Sequence, residues 1–306
     1  MKSAALQNAR YAKILCLAMA AIFALLNGCA TSAPMRMQRS QLISFLENEM
    51  VNNTGWLRIH AAEGLLDQGP SSKVRELFRP EADTATAPYR IGVWRVLARS
   101  TTGTERDGYV ARLRKVLYDP QASDRISAAE SMAKLDAVDH SDREVILNWL
   151  TTADSASAAF PRWLLVLSSR SNERNQDETE LAKLLSADDP VARLRAAYAL
   201  GRLKTLSANS LSGLREHLQI ESVDSIARIY LITAILLHND DPAEISELEP
   251  QLARYANGKP NEQLELGLVT GLRGKPEGIA LLTPLLKSSE GDARIGAASG
   301  LLRLVP

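Results

Sequence analysis

Residues 189–201 read Asp-Pro-Val-Ala-Arg-Leu-Arg-Ala-Ala-Tyr-Ala-Leu-Gly. Asp189 suits a helix N-cap, and Pro190 suits the first helical position. Counted from Arg193, apolar or small residues stand at offsets +1, +3, +4, +7 and +8. That is one stripe of an α-helix, and no strand explains it. The phrase returns from Arg58 (RIHAAEGLL), Arg90 (RIGVWRVLA), Arg125 (RISAAESMA), Arg228 (RIYLITAIL) and Arg294 (RIGAASGLL). Degenerate copies start at Arg162 (RWLLVLSS) and at Glu265 (ELGLVTGLR). The eight copies lie 29 to 37 residues apart, a spacing typical of helical repeats. A second amphipathic segment separates them, as in VARLRKVL near 110–117 or ISELEPQLARYA near 245–256.

The recurrent Arg sits mid-stripe in the first turn of its helix, where the helix dipole disfavours a cation. A charge so placed needs a partner. Asp124, Asp189, Asp224 and Asp292 stand one to four residues upstream of a repeat Arg. The sequence therefore predicts a structural ladder of Arg58, Arg90, Arg125, Arg193, Arg228 and Arg294 with those aspartates, rather than a binding site.

Asp, Pro and the Arg-plus-Ala-Ala phrase together resemble HEAT-like repeats of the phycobilisome-lyase type. The resemblance covers residues 50–306 and implies an all-α, right-handed α-solenoid of about eight helix pairs over residues 40–306. It carries little about activity, because such repeats mainly offer surface. Nothing in the chain points to bilin. The repeated His-Glu dipeptides with which deoxyhypusine hydroxylases hold iron do not occur, and Glu216-His217 runs the other way.

Composition fits a helical reading. The 306 residues are 45% hydrophobic but only 5% aromatic, which disfavours a β-sandwich or barrel. Lys plus Arg and Asp plus Glu both total 36, against a globally basic nucleic-acid binder. Two cysteines exclude a disulfide framework and a Cys-rich metal site.

The N-terminus is an address. Lys2, Arg10 and Lys13 precede an uncharged apolar run from Ile14 to Leu26, which is short for a bilayer span and suited to a signal peptide. Leu26-Asn27-Gly28-Cys29 resembles the lipobox of bacterial lipoproteins. The resemblance implies cleavage after residue 28, lipidation of Cys29, and residues 29–39 as a lipidated tether. Ala30, rather than Asp, after the cysteine implies an outer-membrane site facing the periplasm.

Chemistry is sparse. There is no G-x-S-x-G, P-loop or H-E-x-x-H motif, and the only local metal seed is His60 with Glu63, one helical turn apart. The expectation is a non-enzymatic, lipid-anchored scaffold with no cofactor, no metal and no nucleic acid, engaging an unidentified protein partner. Residues 70–120 hold ten basic and six acidic residues, against three and ten in 216–265. This marks Arg106, Arg112, Arg114 and Lys115 as a candidate partner surface, with Trp149 as a candidate interface anchor. Trp94 and Trp163 fall on the apolar stripe and are expected in the core. Two rivals stand beside the scaffold. A glycan- or peptide-binding lipoprotein would need aromatics lining a groove, and a metal-dependent enzyme would grow from His60 and Glu63.

Overall fold

The computed structural model describes residues 38–305. Cys29, the expected signal segment and most of the expected tether lie outside the described residues. Within them the chain is all-α, with sixteen α-helices and no strand. In chain order these are α1 (Arg39–Asn52), α2 (Gly55–Leu66), α3 (Ser72–Phe78), α4 (Tyr89–Ser100), α5 (Gly103–Tyr118), α6 (Arg125–Lys134), α7 (Arg143–Leu150) and α8 (Ser155–Ser168). They continue as α9 (Arg174–Ala182), α10 (Pro190–Gly201), α11 (Ala208–Ile220), α12 (Arg228–His238), α13 (Pro242–Leu252), α14 (Pro260–Arg273), α15 (Gly278–Leu282) and α16 (Gly291–Leu304).

Local chemistry sets these boundaries. The Asp189 side chain accepts the Val191 amide at 2.8 Å, and Asp241 caps α13 in the same way at Ala243. Pro190 and Pro242 occupy the first turns of α10 and α13, where their missing N–H costs no helical bond. Gly274 ends α14 at a φ of 69°, a left-handed conformation that glycine adopts without strain.

The even-numbered helices are the copies of the Arg phrase. Each packs on the next even helix, and α16 packs on α2 and α1. The odd-numbered helices pack outside them. The result is an inner ring of eight helices within an outer one. An open run of stacked pairs would keep its two ends apart. Here they meet. Arg294 makes a bidentate pair with Glu49 at 2.9 and 3.0 Å, His60 Nδ1 lies 2.8 Å from Asp292, and Arg303 donates to Asp67 at 2.7 Å.

The stripe positions form the seal between the rings. All eight +4 residues are buried, from Ala62 and Trp94 through Ala197 and Ile232 to Val269 and Ala298. Small residues there let inner helices approach closely. The closest approach is α14 to α16, where Gly267 and Gly271 face Gly296 and Gly300. A Cβ on Gly271 would lie 2.8 Å from the Gly300 Cα.

The repeat arginines are fixed, though mostly by other groups than the upstream aspartates. Arg90 does bond Asp124, at 2.8 Å. Arg58 pairs with Glu81, Arg193 with Glu221 and Arg294 with Glu49. Each of these acids belongs to the following pair around the ring, and for Arg294 the following pair is the first. Arg125, Arg193, Arg228 and Arg294 also donate to carbonyls at the end of the preceding outer segment, for example Arg125 to Leu117 and Arg228 to Leu218. Those carbonyls are the orphan acceptors that every helix end leaves. The other aspartates do different work. Asp189 caps α10, Asp224 meets Arg254, and Asp292 meets His60.

Candidate functional site

The inner helices surround a cavity of about 550 Å³ that is partly open to solvent, and all eight contribute lining residues. Its position follows from helix geometry. Relative to the repeat Arg, offsets +2, +5 and +9 point ~140–200° away, opposite the apolar stripe. The +5 residues include Glu63, Glu130, Leu167, Tyr198 and Ser299, and the +9 residues include Asp67, Arg99, Lys134, Arg202 and Arg303. All of these line the cavity. Arg99, Lys134, Arg202 and Arg303 sit at or next to the last turn of their helices, where the dipole favours a cation.

The charges on this wall are paired with one another. Asp67 accepts from both Arg99 and Arg303, at 2.8 and 2.7 Å. Lys134 meets Glu130 at 2.8 Å, Arg202 meets Glu265 at 2.7 Å and Lys204 meets Asp136 at 3.0 Å. Glu63 accepts from Arg95 at 2.7 Å, and the buried Arg95 guanidinium also donates to Ser131 on α6 at 2.8 Å. Burial alone would raise the Glu63 carboxyl, but Arg95, Lys134, His60 and Arg99 together hold it far below the usual carboxylate range. Glu130 is lowered in the same sense: burial opposes the shift, and Lys134 and Arg95 overcome it. Lys134 and Arg202 are raised because neighbouring carboxylates outweigh their desolvation.

An aromatic wall crosses α8, α10 and α12. Trp163 meets Tyr198 edge-on with ring centroids 5.9 Å apart, and Tyr198 meets Tyr230 at 6.1 Å. The Arg202 guanidinium lies 3.5 Å from the Tyr198 ring centroid, a cation–π contact. Burial raises both phenols and keeps them neutral. Three polar atoms of the cavity lining residues have no hydrogen-bond partner: the Trp163 Nε1, the Glu265 Oε1 and the Arg303 Nε. Trp163 is 2% exposed and Glu265 4%. Buried polar atoms are rarely left unsatisfied without a reason.

The sequence-based candidates fare unevenly. His60 and Glu63 both line the cavity, yet His60 is held by Asp292 and Glu63 by Arg95. Among the described residues no three His, Cys, Asp or Glu side chains are grouped to hold a metal ion. The basic surface is largely occupied by the chain itself. Arg106 donates to the Leu135 carbonyl, Arg112 to Ala82 and Asp83, and Arg114 to Asp142 and Ala137. Lys115 is exposed. Trp149 is buried beneath the Arg125 guanidinium, 4.1 Å from its ring centroid, and is no free anchor. Trp94 is in the core as expected, its indole N–H bonded to the Ala82 carbonyl. Trp163 is buried but also forms part of the cavity wall. Aligning the copies at offsets +5 and +9 would have exposed the cavity stripe, because those positions carry Glu, Arg, Asp and Lys in helices otherwise rich in Ala and Leu.

No described protein family and no curated protein matches the chain. A crystal structure of an engineered protein is similar over 86% of this chain and 77% of its own, at 16% identity and a TM-score of 0.35. Among the described residues no helix is long and apolar enough to cross a membrane.

Proposed function

We propose that this chain is a non-enzymatic binding protein of the bacterial cell envelope, anchored by lipid at Cys29 to the outer membrane on its periplasmic side. In this reading residues 40–306 are about eight HEAT-like pairs of a right-handed α-solenoid that has closed on itself. The ring holds a glycan or short peptide in its central cavity. The observation that carries the reading is the cavity itself. Its volume, about 550 Å³, falls within the ~300–1,000 Å³ of ordinary small-ligand sites. Its lining joins aromatic rings to polar side chains such as Asn261 and Ser299. Three of the chain's fifteen Phe, Trp and Tyr residues, namely Trp163, Tyr198 and Tyr230, line the cavity.

The test uses full-length protein extracted in mild detergent from its own membranes. Native mass spectrometry should show a small-molecule adduct, absent from a Leu268→Trp variant that plugs the cavity while keeping its helical circular dichroism. An adduct-free wild-type protein, or one whose adduct survives the plug, overturns the reading. Cys29→Ala should release the protein from the membrane fraction, and continued sedimentation with membranes overturns the anchor.

The protein-scaffold reading has one specific observation in its favour. Ile220, the last residue of α11, and Val223, three residues on, are 77% and 52% exposed. Crosslinking in native membranes that recovers one protein near equimolar, lost on Ile220→Glu, would establish it.

A further inference from the structure

The chemistry of the cavity wall narrows its occupant further. We infer that the cavity accepts a neutral saccharide and discriminates against charged sugars and peptides, an inference that rests on the cavity reading above.

The first argument is the charge balance of the wall. Five carboxylates and five Lys or Arg side chains line it. Every one of those cations already has a carboxylate within 3.0 Å, and Glu63 has Arg95. An ionic ligand would find no vacant counter-charge. Away from the exposed Lys204–Asp136 pair, its carboxylate or ammonium group would lose hydration, and to be compensated it would have to break an existing pair and leave that pair's other member uncompensated. A zwitterionic peptide meets this obstacle at both ends.

The second argument is what the wall leaves free. Glu265 spends one oxygen on Arg202 and keeps Oε1 as an unused acceptor. The Trp163 indole keeps an unused N–H donor. Asn261 and Ser299 add neutral polar groups to the lining, while Leu264 and Leu268 supply apolar surface. A sugar matches this mixture. Each hydroxyl donates and accepts, so a sugar can bond the Asn261 and Ser299 side chains while its C–H faces pack on leucine and aromatic surface. The Tyr198 and Tyr230 phenols stay neutral at ordinary pH, so they too bond hydroxyls without adding charge.

The third argument concerns rigidity. The paired residues come from helices all around the ring: α2 and α4 through Glu63 and Arg95, α10 and α14 through Arg202 and Glu265, and the α2 and α16 ends through Asp67 and Arg303. These pairs hold the wall in one shape before a ligand arrives, which lowers the ordering cost of binding.

The experiment is a titration of the full-length detergent-solubilised protein, read by Trp fluorescence and calorimetry. The probes are N,N′-diacetylchitobiose and cellobiose as neutral disaccharides, chitobiose as the cationic analogue, digalacturonate as the anionic one, and the dipeptide Ala-Ala. At least one neutral disaccharide should bind, and the charged probes should bind at least about tenfold more weakly, the ratio that 1.4 kcal/mol gives. Leu268→Trp should abolish binding. Tyr230→Phe, which keeps the ring and removes the hydroxyl, should weaken it about threefold to tenfold, the loss of one hydrogen bond. Circular dichroism and melting of both variants separate loss of binding from loss of fold. If digalacturonate, chitobiose or Ala-Ala binds more tightly and the plug abolishes that binding, the neutral-saccharide inference falls while the cavity reading stands. If no probe binds, the inference falls, and the adduct measurement decides the cavity reading separately. If neutral sugar binds but survives the plug, both fall.

Discussion

The contact between α14 and α16 makes a sharp claim about one methyl group. Gly267 lies mid-helix, where alanine normally improves stability by ~1 kcal/mol through helix propensity. In this fold its α-hydrogen faces backbone. A Cβ on Gly267 would overlap the Gly296 carbonyl, and a Cβ on Gly296 would lie 2.9 Å from the Gln263 carbonyl oxygen and the Leu264 Cα. Main chain on a packed inner ring cannot swing aside as a surface side chain can. Overpacking of this kind costs up to ~3 kcal/mol. Set against the propensity gain, the net destabilisation is about 2 kcal/mol. At roughly 2–4 °C per kcal/mol for a chain near this size, Gly267→Ala should lower Tm by about 4–8 °C. Gly213 provides the control. It is also helical, in α11, and a Cβ there meets nothing within 4 Å, so Gly213→Ala should raise Tm by about 2 °C. The same chemical change should therefore act with opposite sign at the two positions. Thermal melts of both variants, followed by far-ultraviolet circular dichroism, provide the assay. Equal or parallel shifts would show that α14 and α16 do not meet backbone to backbone and would remove the tightest joint of the ring.

Three further outcomes test the rest of the structure. A double-mutant cycle on Glu49→Ala and Arg294→Ala, measured by urea unfolding, should give a coupling of about 1–2 kcal/mol for a bidentate, partly buried pair, and zero coupling would mean that α1 and α16 do not meet. Arg193→Ala should destabilise by about 1–3 kcal/mol, because it strands the buried Glu221 carboxylate and the Ala187 and Asp188 carbonyls, whereas the exposed Lys204→Ala should stay within about 0.5 kcal/mol; equal melting temperatures would refute the ladder. Glu63 and Glu130 titrate below the usual range in the folded chain, so their stabilisation is complete above the ordinary carboxylate pKa of about 4.3 and is lost as pH falls through the folded values. Tm should therefore drop steeply between about pH 4 and pH 2, and the drop should be shallower in Glu63→Gln; an unchanged slope would mean that Glu63 carries no such shift.

Much of the local structure was legible in the residues. The Arg phrase marks the inner helices, and Asp189-Pro190 and Asp241-Pro242 mark two starts, because capping and the helical period are short-range effects that a few neighbouring residues dictate. The need to neutralise a mid-stripe arginine was legible too, but not the identity of its partners. Asp189 is nearest in sequence to Arg193, yet its side chain turns to the Val191 amide, and Glu221 from the next pair reaches the guanidinium instead. That choice depends on how pairs stack. The basic residues Arg106, Arg112 and Arg114 looked free for the same reason: their carbonyl and carboxylate acceptors come from loops 23 to 30 residues away.

Sequence alone determined that this chain would be all-α, with one apolar stripe per helix of the Arg phrase and a charge in the middle of most of them. Tertiary structure decided that the run of pairs closes. Closure is the accumulated result of a small rotation at each joint, set by side-chain volumes such as the glycines of α14 and α16, and no single repeat encodes the total. It was sealed by contacts such as Glu49 to Arg294, which are 245 residues apart. Once the ring closed, the stripe opposite the core became a cavity wall. Charges that would have been solvated on an open surface were drawn into pairs, and Trp163, Tyr198 and Tyr230 were brought together around a single cavity.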